Sequence, residues 1–224
     1  MATLLMCLAG PMQSWGTTSR FDERDTQLEP SKSGVIGLVC AALGRDRAES
    51  VSDLAALRMG VRVDREGIPM RDYQTATGVV ASSGKADANR TVVSQRYYLS
   101  DAAFLVALEG ERELLANIHK ALRAPYWPLS LGRKSFVPSR PVFMPDGLRD
   151  GSLLEVLGST ALLTEDDTRQ EMQQRRVVIE DDKEGTARVD QPIAPFSERR
   201  FGPRFVKTLQ LTPGGDDVSH STHA

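Results

Sequence analysis

The sequence predicts an α+β protein with a ferredoxin-like βαββαβ core, an inserted hairpin arm and a small β-rich C-terminal part. Three observations carry this. Residues 3–8 and 102–108 are short, unbroken apolar runs, the pattern of strands buried on both faces. Helical patterns follow them, at 31–44 and 111–123. Between the two halves, over about residues 72–98, the chain is polar and has no core of its own. With that arm set aside, the order strand, helix, strand, strand, helix, strand is the ferredoxin-like one.

Size and composition set the outer bounds. A chain of 224 residues forms one large domain or two small ones. Hydrophobic content of 40% and charged content of 26% are ordinary for a globular protein. A net charge of −2 excludes a generally basic nucleic-acid coat. The charge is uneven, however. Residues 1–140 hold 18 Lys and Arg against 15 Asp and Glu, whereas residues 141–224 hold 10 against 15. Cys7 and Cys40 lie in apolar surroundings and read as small core residues. Residues 1–9 lack a basic leader, and no run is long enough for a membrane helix, so a cytoplasmic protein is expected. The glycosylation pattern at Asn89 has no meaning in that compartment. There are no internal repeats.

The first strand ends at the turn Ala9-Gly10-Pro11, and Met12-Gln13-Ser14-Trp15-Gly16 follows. A tryptophan among small residues serves equally as a stacking platform for a base or as a core aromatic. The helix at 31–44 has both ends marked, with Ser31 or Ser33 as N-cap and Gly44 beyond its last turn. Its apolar residues leave almost no polar face. Gly34 and Gly37 are expected to let another backbone come close. Two hydroxyls, Lys32 and the positive end of the helix dipole make its start a seat for a phosphate. It is not a P-loop, because Ser31 and Thr26 stand where that motif needs glycine.

Residues 51–57 suggest a short helix, and 58–64 alternate like a half-exposed strand with Met59, Val61 and Val63 inward. The arm interleaves cations and rings in its return strand, Arg90 to Tyr98, which suits a nucleic-acid strand. Its plain alternative is a solvated loop. The helix at 111–123 is amphipathic, with acids in its first turn and bases near its end. His119 on it reads as surface or packing. Leu131-Gly132-Arg133-Lys134-Ser135 is a turn with two cations, and Phe136-Val137 is expected to open the last core strand. Beyond residue 140, an apolar stretch spans 152–164, and 176–180 and 186–190 flank an acidic turn like a hairpin. A basic strand is expected over 199–207 and a disordered tail over 213–224, where His220 and His223 are not taken as metal ligands.

Five stretches together resemble one family. They are Leu8 to Gly16, Pro30 to Leu38, Arg71 to Thr75, Arg96 to Phe104, and Leu131 to Ser135. In this order they resemble the repeat-associated RNA-binding proteins of type I-E CRISPR surveillance complexes (Cascade), of the kind seated at the 5′ end of the guide RNA. The resemblance implies antiviral defence as a ribonucleoprotein subunit that binds the 5′ handle of the crRNA. It implies a thumb-like arm reaching toward the backbone subunit, with the large subunit docked nearby. Residues 1–140 would form the RNA-binding core and 141–212 a part packed on it. A separate subunit cuts the precursor RNA in this subtype, so no catalysis is expected. The alternative is a metal-independent endoribonuclease, as in a related subtype. Against it, two of the three histidines lie in the tail and one in a regular helix, away in sequence from Tyr73, Tyr97 and Lys134. No metal, cofactor, membrane or small-molecule substrate is implied.

The RNA site is expected where the helix start, the Gln13–Trp15 loop and the Arg133-Lys134 turn converge. Lys32, Arg133 and Lys134 would meet phosphates with backbone donors near Ser33 and Gly34, Trp15 would stack, and Gln13 would read a base edge. Arg71, Tyr73, Gln74, Arg90, Gln95 and Arg96 would extend the track along the arm.

Overall fold

The structure is a computed structural model that describes residues 1–18, 23–80, 84, 90–164, 174–211 and the backbone of 218–219. The expected tail at 213–224, with His220 and His223, otherwise lies outside the described residues, as does part of the arm at 81–83 and 85–89. The elements in order are β1 (Ala2–Ala9), β2 (Met12–Gln13), β3 (Glu23–Arg24), α1 (Lys32–Leu43), α2 (Ser52–Ala55), β4 (Arg58–Arg65), β5 (Ile68–Thr77), β6 (Thr91–Ser100), β7 (Ala103–Gly110), α3 (Arg112–Arg123), β8 (Phe143–Asp150), α4 (Leu153–Ser159), β9 (Arg175–Glu180), β10 (Thr186–Pro192), β11 (Phe201–Leu211) and β12 (Val218–Ser219). No helix among the described residues is long and apolar enough to cross a membrane.

A large antiparallel sheet in the order β10-β11-β9-β4-β7-β1-β8 forms the centre, with β12 at the end of β11. The apolar runs at 3–8 and 102–108 are its adjacent interior strands β1 and β7, in register from Ala2↔Gly110 to Ala9↔Ala103. They are apolar throughout because both faces are covered. Leu4, Met6, Leu8, Phe104, Val106 and Leu108 pack with α1 and α3 on one side. Leu5, Leu105 and Ala107 pack with Leu153, Val156 and Leu157 of α4 on the other. Fully burying each such side chain contributes about 1.5–3 kcal/mol.

Several expectations are corrected. The strand at 58–64 is not half-exposed: β4 is interior, and its polar face lies under α4. There Arg62 pairs with Asp64 at 2.6 and 2.9 Å and donates to the carbonyls of Leu157, Thr160 and Ala161 at the end of α4. A guanidinium thus satisfies carbonyls that the helix end leaves open. The last core strand begins at Phe143 rather than at Phe136, because Pro138 and Pro141 supply no ladder donors before it. Segments 176–180 and 186–190 do not form a hairpin. β11 lies between them, paired with β9 through Val206↔Glu180 and with β10 through Thr186↔Val206. The C-terminal strands therefore extend the central sheet by hydrogen bonds from β4 to β9.

The arm is a hairpin of β5 and β6, in register from Ile68↔Ser100 to Thr77↔Thr91. β2 and β3 join β6 to complete a second, smaller sheet at its base.

Candidate nucleic-acid interface

Helix α1 starts as its sequence dictates: Ser31 is the N-cap and its Oγ accepts from the Gly34 N–H at 3.3 Å. The anion at this start, however, comes from the protein itself. Asp190 of β10 accepts from the Lys32 backbone N–H at 2.8 Å and from Arg204 at 2.6 and 2.9 Å. Lys32 is 2% exposed and its Nζ lies 2.9 Å from Glu180. Burial pushes the Lys32 pKa down, and Glu180 restores only part of it. Lys32 is therefore a buried ion-pair partner, not a phosphate contact. Ser33 is turned to Ser31 at 3.5 Å.

Trp15 and Gln13 are corrected in the same way. Trp15 is 1% exposed, and a Cβ at Gly34 would meet its ring at 2.8 Å. Gly34 thus admits the indole rather than another backbone. The indole N–H donates to Gln13 Oε1 at 3.1 Å. Gln13 Nε2 donates to the carbonyls of Leu8 and Ala102 at 3.1 and 2.8 Å, which ties the ends of β1 and β6–β7 together. Neither side chain offers an edge or a face to a base.

The turn after Leu131 stands against this buried group. Ser14 N–H donates to the Leu131 carbonyl at 3.0 Å. Gly132 has φ +94, and a Cβ there would lie 1.8 Å from the Ser14 carbonyl oxygen, so only glycine fits. This seat aims Arg133 at the base of the arm. Its Nη2 donates to the carbonyls of Tyr97 at 2.9 Å and Arg24 at 3.3 Å, and its guanidinium lies 5.4 Å from the Phe136 ring centre. Burial lowers the Arg133 pKa, and the neighbouring Arg96 and Arg24 lower it further against the opposing pull of Asp72 and Asp25. Three guanidiniums thus lie within electrostatic reach of one another at the base of the arm, together with the carboxylates of Asp72 and Asp25. Lys134 is exposed beside them.

The arm residues divide by strand alternation. Asp72, Gln74, Ser94 and Arg96 share one face, and Arg71, Tyr73, Gln95 and Tyr97 the other. Arg96 is positioned by Ser94 Oγ at 3.0 Å. Gln74 donates to Asp72. Arg71, Tyr73 and Arg90 are exposed, whereas Gln95 is half-buried with an enclosed Oε1 that has no hydrogen-bond partner among the described residues.

The model of the family described as "CRISPR-associated protein (Cas_Cas5)" matches residues 3–207. The chain belongs to the Cas5 family. A curated relative, "CRISPR system Cascade subunit CasD" of Escherichia coli (strain K12), is 33% identical over 155 residues, 63% of this chain and 69% of that one. Among solved structures, "Crystal structure of Cas protein" is 51% identical with a TM-score of 0.77, covering 94% of this chain and 95% of the other. A chain of "CRISPR RNA-guided surveillance complex" is 33% identical with a TM-score of 0.75, covering 93% and 90%. The mixed α+β build of this Cas5 protein, a large antiparallel sheet with few helices, matches these structures.

Sequence reasoning missed Arg24 beside Arg133. It stands in a polar stretch that reads as loop, but it is strand β3, and its parallel pairing with Arg96 of β6 brings it to Arg133. The one signal available was its basic character between two acids.

Proposed function

We propose that this Cas5 protein is a non-catalytic RNA-binding subunit of a Cascade-type CRISPR surveillance complex in the cytoplasm, and that it caps the 5′ handle of the guide crRNA. The arginines at the base of the arm carry this reading: Arg133 donates to the Arg24 and Tyr97 carbonyls and Arg24 pairs with Arg96, with Asp25 and Asp72 as the opposing charges, and phosphates are the ligands such a cluster attracts. Lys134, Arg71, Tyr73, Gln74, Arg90 and Gln95 extend the contact, with Tyr73 available to stack. The arm faces the backbone subunit, and the large subunit docks nearby. The order β8-β1-β7-β4, with α1 and α3 on one face, supports a ferredoxin-like reading of the core. Residues 1–140 carry the RNA contacts in this reading. His119 supports the absence of catalysis: its Nε2 is 2.8 Å from the Met144 carbonyl and its ring stacks on Phe143 at 4.6 Å.

The test is binding of a labelled repeat-derived handle RNA across a salt series, without metal. Each phosphate contact on a single strand contributes about 0.7 to the salt slope. The double variant Arg96→Ala, Arg133→Ala is expected to weaken binding and flatten the slope by about 1.4. Wild-type affinity and slope in a folded double variant refute the site. Cleavage of the RNA by the wild type refutes the non-catalytic assignment.

A further inference from the structure

The chain has two tryptophans, and they have opposite fates. Trp15 is 1% exposed, whereas Trp127 is 56% exposed beside Tyr126 at 69%. The exposed pair is not loose. Tyr126 and Trp127 N–H groups donate to the carbonyls of Ala42 and Ala41, at 3.0 and 3.1 Å, in the last turn of α1. Pro125 and Pro128 stiffen both sides. Gly44, in the left-handed region at φ +73, makes room for the Tyr126 ring: a Cβ there would lie 2.7 Å from its Cγ. The two rings meet edge to face at 5.1 Å and 78°. Rigid, exposed aromatic residues of this kind are the usual anchors of protein interfaces.

We propose that Tyr126 and Trp127 anchor a neighbouring protein subunit of the surveillance complex through an apolar pocket on that subunit. This rests on the reading of the chain as a complex subunit. Two features favour a protein over the guide RNA. The pair sits at the C-terminal end of α1, about 18 Å along a twelve-residue helix from the end that abuts Trp15. That end carries the negative pole of the helix dipole, its last turn holds no cation, and Arg45 just beyond it is paired with Asp53, so with Arg123 at the end of α3 as the exposed cation near it the local field attracts a phosphate chain less than the arginine cluster does. The area disfavours a self-sufficient dimer. Two aromatic side chains bury at most roughly 300–500 Å², below the ~1,000 Å² a stable stand-alone interface needs. The anchor therefore works inside a larger contact in a multi-subunit assembly.

The experiment labels the chain with 5-fluorotryptophan, which gives one ¹⁹F resonance for Trp15 and one for Trp127. Spectra are recorded for the chain alone at two concentrations, with handle RNA, and within the complete complex co-expressed with its other subunits. The Trp127 resonance is expected to shift only in the complete complex. A shift with RNA alone makes it a nucleic-acid platform, and a concentration-dependent shift in the isolated chain makes it a self-contact. Either outcome overturns the proposal, as does an unchanged Trp127 resonance in a complex that size exclusion shows to contain the chain. Failure of the chain to enter the complex overturns the subunit reading instead. The double variant Tyr126→Ser, Trp127→Ser is expected to keep its thermal unfolding and RNA affinity while its incorporation falls roughly tenfold or more.

Discussion

Replacing Trp15 with alanine separates a core role from an RNA role. The ring is enclosed and lies on Gly34, so its removal leaves a cavity that the backbone of α1 cannot readily fill. Loss of a buried tryptophan costs roughly 3–5 kcal/mol. The change also leaves Gln13 Oε1, the acceptor of the indole N–H, without that partner, at about 1–3 kcal/mol. For a chain of this length each kcal/mol lowers Tm by about 2–4 °C, so a fall of about 10–20 °C is expected. Gly34→Ala provides the internal control. Its new methyl meets the indole at 2.8 Å and Ser31 Oγ at 3.1 Å in the wild type, and only Ser31 Oγ once the indole is gone. The two substitutions are therefore expected to couple, the double variant being less destabilised than the sum of the singles. Thermal or urea unfolding of the four species completes the cycle, with handle affinity measured on the folded fraction. If Trp15→Ala unfolds within about 2 °C of wild type and loses the roughly 1–3 kcal/mol of a stacked base, the core assignment of Trp15 is refuted.

Three further outcomes follow from buried contacts. Asp190→Ala leaves the Lys32 N–H without its carboxylate and Arg204 with only Glu180 at 3.4 Å, and unfolding is expected to show a loss of roughly 3–5 kcal/mol with RNA affinity per folded molecule unchanged. Glu29 is buried, which alone would raise its pKa, but Arg176 and Arg188 outweigh burial and hold it below the usual 4.5. Its contribution is thus complete above pH 4.5 and lost as pH falls through the lowered folded value, so Glu29→Gln is expected to make acid unfolding less steep with pH. His119→Ala removes one hydrogen bond and one ring contact and is expected to cost about 1 kcal/mol in unfolding, with handle binding and RNA integrity untouched.

The parts legible in the sequence are those whose cause is local or periodic. Ser31 and Gly44 mark α1 because caps are chosen by the backbone beside them. The runs of β1 and β7 are legible because two-sided burial leaves Thr3 and Glu109 as their only polar positions. Illegible parts depend on partners distant in sequence. Arg62 and Asp64 read as a solvent face because nothing near them reveals the carbonyls of α4. Lys32 reads as a phosphate ligand because Glu180 and Asp190 arrive from β9 and β10. Trp15 keeps the same neighbours in sequence whether it stacks on a base or fills a core, and its seat on Gly34 decides between them. The Gly132 turn with its adjacent cations is legible because it is a local signal, while the nearness of Arg24 depends on a parallel strand pairing.

The position of β11 also constrains the order in which this sheet can be completed. β9 and β10 precede it in the chain, yet neither pairs with the other, and β10 takes its ladder from β11. A growing chain that closed the short acidic turn at 181–185 into a hairpin would fill the edge that β11 needs and would have to reopen. Asp190 travels on β10, whose ladder comes from β11, so the carboxylate that seals the start of α1 is held in place through that strand. Without it the Lys32 backbone N–H would lack its carboxylate, whereas Lys32 Nζ would keep Glu180 of β9.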